Sequence, residues 1–201
     1  MPKEMDGRLP RLEPAEFDAD QRAFYEFLTQ EPRLPSATKR LPLVDEHGRL
    51  YAPFNIMAGS PLAGAALHQV GGHLRHRAGY TDRVREIAVL ELAVIRRSAT
   101  EWHAHEPYAR SGVLTDDEIT AIRMSAPAPT FSHAETVARK IVQSLLRSKD
   151  IDDALYAEAE AAFSTRVLIE LVMLVLYFDL LATSINVFRA AIPDGKPSPF
   201  G

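Results

Sequence analysis

The stretch TDRVREIAVLELAVIRRSATEWHAHEPYARSG, running from Thr81 to Gly112, decides the fold. Its first half reads as one helix, Thr81 to Arg97. Thr81 is a residue type that caps a helix start, and Asp82 suits the positive end of the helix dipole. Ile87, Leu90, Ala93 and Val94 recur at the spacing of one helix face. The second half, Ala99 to Ser111, reads as another helix, closed by Gly112. No part of the stretch alternates apolar and polar residues with the period of a strand.

Outward from this stretch the same grammar repeats. Pro61 to Arg77 forms a helix with proline at the favoured first position after Ser60. Thr115-Asp116-Asp117-Glu118 and Ser132-His133-Ala134-Glu135 both carry the pattern in which the first and fourth residues satisfy each other's backbone donors. The second precedes a helix over Thr136 to Arg147. Asp152 to Phe163 and Ser164 to Phe188 follow, and Ala15 to Gln30 is a short helix anchored by Phe17, Phe24, Phe27 and Leu28. No Asn-Gly or Asp-Gly pair is expected to turn a hairpin between apolar strands, and no fixed repeat appears. The expected class is all-α. Pro2, Pro10, Pro14, Pro32, Pro35 and Pro42 bar a long helix from the first 50 residues. Residues 1–40 are thus expected to be an arm with one short helix, 41–192 a helical domain, and 193–201 an irregular tail.

The chain has 201 residues with 23 Lys and Arg against 27 Asp and Glu, a net charge of −4. Its strongest basic cluster, Arg75-His76-Arg77, is short, so no nucleic-acid partner is expected. There is no cysteine, which excludes thiol nucleophiles, thiolate metal ligands and redox dithiols. Met1 to Arg11 has no apolar run of signal-peptide length, so a cytoplasmic location is expected. The apolar stretch from Val167 to Leu181 is interrupted by Glu170 and Asp179, and its unbroken run is only Leu171 to Phe178, short of the ~20 residues a membrane span needs. It reads as a helix buried on nearly all sides, in a core or between subunits, and no membrane partner is expected. No phosphate loop or nucleotide fingerprint is present, so no cofactor is expected.

The densest polar cluster runs from Ser98 to Glu106. Helical spacing puts Ser98, Glu101, Trp102 and His105 on one face and turns His103 away. A carboxylate beside an imidazole raises its basicity and fixes its orientation, a combination suited to acid–base work near neutral pH. Each residue also has a structural reading. Glu101 and His105 make an ordinary surface pair, Trp102 a core anchor, and Ser98 a helix cap. Arg96 and Arg97 either clamp a substrate carboxylate or complement a helix end. His68, His73 and His76 offer imidazoles for a transition metal. No acidic ligand stands near them in sequence, and Gly71-Gly72 weakens their helix. A polar surface or cavity-lining role fits them better, and no metal is expected.

The ordered set Arg85-Glu86-Ile87-Ala88-Val89-Leu90, Arg96-Arg97-Ser98, Glu101-Trp102-His103-Ala104-His105, Ala109, Gly112-Val113-Leu114-Thr115 and Glu118-Ile119 resembles the carboxymuconolactone decarboxylase family, which includes the alkylhydroperoxidase-D-like proteins. Pro53-Phe54-Asn55, Ser60-Pro61, Tyr177 and Asn186 add to the likeness, which spans Leu41 to Phe188. The resemblance implies a helical bundle and a homo-oligomer: a dimer, trimer or hexamer. In the family's peroxidase branch, two cysteines fall on Ser98 and Glu101, a relay glutamate on Glu86 and a histidine on His105. Without sulfur, thiol peroxidase chemistry cannot carry over. The chain is more similar to the cysteine-free branch, which includes lactone decarboxylases. That likeness implies a cofactor-free lyase acting on a small carboxylated, lactone or carbonyl substrate. His105 would be the proton donor, Glu101 its orienting partner, and Glu86 a second acid–base or water-orienting group. Ser98, Trp102 and Arg97 would contact the substrate. Glu86 also reads as a surface partner of Arg83 or Arg85. The alternatives are a non-catalytic oligomeric binding protein of the same fold and a metal-dependent lyase or hydrolase using the histidines.

Overall fold

The computed structural model describes residues 4–30, 42–192 and 195–200. Its helices are α1 (Ala19–Gln30), α2 (Phe54–Ala58), α3 (Pro61–His76), α4 (Asp82–Arg96), α5 (Ala99–Tyr108), α6 (Asp116–Arg123), α7 (His133–Ser148), α8 (Asp153–Ala162) and α9 (Thr165–Phe188). Most starts are fixed by a side chain that accepts from an otherwise unpaired backbone N–H. Thr81 caps α4, Ser98 caps α5, Asp152 caps α8 and Ser164 caps α9. Thr115 and Ser132 form complete reciprocal boxes with Glu118 and Glu135. After α5 the chain widens into one π-helical turn, Ala109–Val113. Pro107, inside α5, lacks the N–H that would continue the narrower ladder. The turn ends at Gly112, whose φ of 115° is open to glycine and strained for other residues.

Two buried clusters share one helix. Val84, Ala88, Val89 and Leu92 of α4 join a large core with α1, α2, α3, α7, α8 and α9. Ile87, Leu90 and Ala93 join a smaller one with Trp102, Leu114, Ile119 and Ile122. The helix buried all round is therefore α4, where the sequence suggested a single apolar stripe. Within the single chain α9 is buried on all sides but one, where Ile169, Met173, Leu176, Leu180 and Val187 are exposed. Apolar composition alone does not report which faces neighbours cover. By length and composition α9 would suffice to cross a membrane, yet 61% of its most apolar window is buried within the molecule. Its two acids are neutralised: Glu170 pairs with Arg166 at 3.0 Å, and Asp179 with Arg96 at 2.5 Å and Lys149 at 2.9 Å.

The N-terminal segment departs from an all-helical reading. A two-stranded antiparallel hairpin pairs β1 (Met5–Asp6) with β2 (Leu9–Pro10). Its turn is Gly7-Arg8, with Gly7 at φ 65°. Glycine at the first central position is the turn signal here, with Asp6 in the strand, and two-residue strands are too short to show alternation. Beyond it, Arg8 N donates to Phe188 O at 2.7 Å and Ala191 N to Asp6 Oδ1 at 2.7 Å, tying the hairpin to the end of α9. Phe24 and Leu28 of α1 belong to the large core, so this helix is part of the packed body. The expected boundary between arm and domain at residues 40 and 41 lies outside the described residues.

Candidate active site

Glu86 projects from the middle of α4 and is 0% exposed. A carboxylate so placed needs partners for both oxygens. One accepts from Arg85 Nε at 2.9 Å and the other lies 2.8 Å from His105 Nδ1. His105, from the last turn of α5, is 2% exposed. As the carboxylate partner of Arg85, Glu86 would accept from a proton on Nδ1, and the contact fixes the ring with Nε2 on its far edge. That edge faces Glu101 Oε2 at 4.0 Å, one turn earlier on α5. Glu101 is 4% exposed. Phe178 of α9 closes the ring edge-on, with centroids 5.0 Å apart.

A shell of cations and phenols surrounds this core. Tyr177 packs against Phe178 and accepts from Arg75 Nη1 at 3.1 Å. Its hydroxyl is admitted by Gly71 of α3, where an added Cβ would lie 2.1 Å from it. Burial pushes the Tyr177 phenol above its ordinary pKa. Arg85 also reaches Asp82 Oδ1 at 2.7 Å and Arg75 O at 2.9 Å. Burial works to lower its pKa, but the charge and hydrogen bonds of Glu86 and Asp82 outweigh it and hold the guanidinium firmly cationic. Burial likewise works to raise the Asp82 pKa, yet hydrogen bonds from Tyr108 and Arg85 leave it below the usual range.

Arg75, Asp82 and Arg85 also border a cavity of about 170 Å3, whose other polar walls are His76, Tyr80 and Tyr108; Glu86, Glu101, His105 and Tyr177 do not line it. Burial raises the Tyr80 pKa, and the hydrogen bond to Asp82 raises that of Tyr108, so both remain phenols at neutral pH. The cavity is below the ~300–1,000 Å3 of drug-sized ligand sites and suits a small molecule. It stops at Arg85, which forms its wall on one side and the partner of Glu86 on the other.

The structure thus brings Glu86, Glu101 and His105 together, with Glu86 rather than Glu101 at hydrogen-bond distance from the imidazole. Glu86 is no surface partner: Arg83 turns instead to Glu118 at 2.7 Å and Glu135 at 2.6 Å. Ser98 is the cap of α5, accepting from Glu101 N. Trp102 and Arg97 face elsewhere. Trp102 sits in the smaller core, edge-on to Phe200 at 5.7 Å, and Arg97 Nη2 donates to Phe200 O at 2.6 Å. With His103 on Pro197 O at 2.9 Å, they hold the C-terminal tail against α5. Among the described residues no three His, Asp or Glu side chains gather as a metal site. His68 packs edge-on to Phe27 and Phe54, His73 lies 3.5 Å from Glu170, and His76 lines the cavity. Sequence reasoning missed Arg75, Asp82, Tyr80 and Tyr108. The pairing of Arg85 with Glu86 was the one local signal.

No family model matches the chain, and no curated protein matches it. Solved structures do. An uncharacterised peroxidase-related protein from Ralstonia eutropha, described as an alkylhydroperoxidase AhpD core, superposes with a TM-score of 0.70 at 15% identity, covering 95% of this chain and 94% of its own. A peroxidase-related protein from a Silicibacter species gives 0.70 at 10% identity, covering 96% and 95%. A debrominase in complex with 2,3,4-tribromopyrrole gives 0.68 at 11% identity, covering 96% and 94%. At these identities the likeness is one of fold: the chain has the alkylhydroperoxidase-D-like helical fold.

Proposed function

We propose that this alkylhydroperoxidase-D-like chain is a cofactor-free acid–base enzyme acting on a small carboxylated or lactone-type substrate, a carbon–carbon lyase of the carboxymuconolactone decarboxylase kind. The observation that carries the reading is the buried Glu86–His105 hydrogen bond, with Glu101 4.0 Å from the ring's Nε2 and a cavity lined by Arg75 and Arg85 on the other side of Arg85. The fold is compatible with catalysis on a small ring, since one structural relative is a debrominase bound to a brominated pyrrole. Thiol chemistry does not transfer, because the chain has no cysteine.

In this reading an unsaturated carboxy-lactone enters from the cavity as Arg85 swings off Asp82. The bond between ring carbon and carboxylate breaks, carbon dioxide leaves, and the electron pair passes into the conjugated carbonyl. Arg75 and Arg85 stabilise the oxygen that becomes negative. His105 starts as the imidazolium, protonated on both nitrogens with Glu86 holding its charge; it delivers the Nε2 proton to the ring carbon, and the neutral ring left behind takes a proton from water. Glu86 takes the orienting role that helical spacing alone assigned to Glu101, and Glu101 steers the proton at Nε2.

The test is carbon dioxide release from a panel of unsaturated γ-lactone carboxylic acids. The wild type turns over at least one member, and His105→Ala and Glu86→Gln each lose ~10²–10⁴-fold in kcat, the usual contribution of a positioned proton donor. Turnover with both variants matching the wild type contradicts the assignment. A second reading, a non-catalytic binder of small acids, is favoured by the position of Arg85 between the cavity and His105. It predicts saturable binding of the same acids without turnover, lost in Arg75→Gln.

A further inference from the structure

Helix α4 buries a second acid. Glu91 is 1% exposed and accepts from two residues of α7, Arg139 Nε at 2.7 Å and Gln143 Nε2 at 2.7 Å. Arg139 is itself 8% exposed. Its Nη1 donates to Ala126 O at 2.6 Å, in the loop between α6 and α7. Its Nη2 is buried and has no hydrogen-bond partner among the described residues. A guanidinium is all donor and cannot shed its need for acceptors, and a buried donor left in this way calls for one. Arg139, Gln143 and Ala126 line one cavity of about 360 Å3, within the ~300–1,000 Å3 of small-molecule sites. No residue lines both this cavity and the one beside Arg85.

We propose that this second cavity binds a small monocarboxylate with an apolar body, its carboxylate on Arg139 Nη2 and Lys140. The charges of the walls select the sign. Arg139 and Lys140 line the cavity, and no Asp or Glu does. They also select the size of the charge. Glu91 already balances Arg139 from behind, so Lys140 supplies the one cation a ligand can claim. Lys140 reaches Glu158 of α8 at 2.7 Å, but both are more than 40% exposed, and such a pair is weak enough to exchange for a ligand anion. A singly charged carboxylate is matched by this arrangement, and a doubly charged phosphate is not. The loop wall accounts for the apolar body: Pro127, Pro129 and Phe131 face the cavity. The two prolines fix the backbone of that wall, so little freedom is lost when a ligand settles on it. On the other wall the guanidinium is held before any ligand arrives, by Glu91 on one edge and the Ala126 carbonyl on another.

Isothermal titration calorimetry of the full chain with octanoate and with phenylacetate tests this, with octanamide as the uncharged control. The wild type binds at least one of the two acids saturably, and octanamide binds about tenfold or more weakly, the share of a charge-assisted hydrogen bond. Ala128→Trp fills the cavity from the loop without touching the Glu91–Arg139 pair, and abolishes binding with unchanged far-ultraviolet circular dichroism. Arg139→Lys keeps a cation for Glu91 but has no Nη2, and weakens binding by about tenfold or more. Arg75→Gln, in the other cavity, leaves the affinity as it was. Neither acid binding saturably, octanamide binding as tightly as octanoate, or an affinity untouched by Ala128→Trp overturns the proposal. An affinity lost in Arg75→Gln and kept in Ala128→Trp would place the acid beside Arg85 and overturn it as well.

Discussion

A carboxylate with no access to water survives only if its lost hydration is replaced, and at Glu86 the replacement comes from Arg85 and His105. Removing one member leaves the others buried and uncompensated. Glu86→Ala should therefore cost about 3–5 kcal/mol in a urea unfolding curve. Glu86→Gln keeps the shape and a hydrogen-bond acceptor, so it should cost clearly less while still lowering turnover. Equal losses for the two would mean that the carboxylate's charge is immaterial. Much of this site was legible in the chain. Glu101 and His105 share a helix face, and the ordered likeness put Glu86 beside them. What spacing could not give was which acid makes the bond, because Glu86 approaches from α4 and its reach depends on how two helices cross. Arg75, Tyr177 and Phe178 were beyond any local pattern, since α3 and α9 meet across about a hundred residues of chain.

Two glycines side by side on α3 have opposite duties. Gly71 makes room for the Tyr177 hydroxyl, whereas a Cβ on Gly72 meets nothing within 4 Å. Gly72→Ala should stabilise the protein by about 0.5–1 kcal/mol through helix propensity. Gly71→Ala should destabilise it and displace Tyr177 from Arg75. Paired thermal melts check both, and a stabilising Gly71→Ala would refute the contact. At the start of α6, Glu118 is held down from the usual 4.5 to about 2 by its hydrogen bond from Arg83, with the Thr115 backbone and Thr130 helping. A folded-state value below the unfolded one gives stability that is present above pH ~4.5 and lost as pH falls toward 2. With Arg83 partly exposed the contribution is on the order of 2 kcal/mol. Glu118→Gln should thus be less stable than wild type at pH 6 and indistinguishable near pH 2, read from urea midpoints; a constant gap across that range would contradict the cause. Helix starts were the most legible elements, because Thr81, Thr115, Ser132, Asp152 and Ser164 act through bonds to their own neighbours. Burial of whole helices was not: α4 is covered on every side and α9 on one side less, although α9 is the more apolar in sequence.

At the scale of the molecule, α4 joins two cores that would otherwise be separate. Leu92 packs in the larger and Leu90 in the smaller, and neither has any exposed surface. Each truncated to alanine should cost about 2–5 kcal/mol without changing the urea m-value. A biphasic curve in either variant would show that the cores melt independently. The same helix that couples the cores presents Glu86 to His105, so the site inherits the rigidity of the most buried element. The measurement that bears most directly on this is the proton spectrum of the His105 ring, assigned by its loss in His105→Asn. A Glu86-bonded Nδ1–H, sealed behind Arg85 and Phe178, should appear far downfield and exchange slowly with water. A His105 ring whose N–H exchanges as freely as that of exposed His133 would contradict the buried pair on which the proposed chemistry stands.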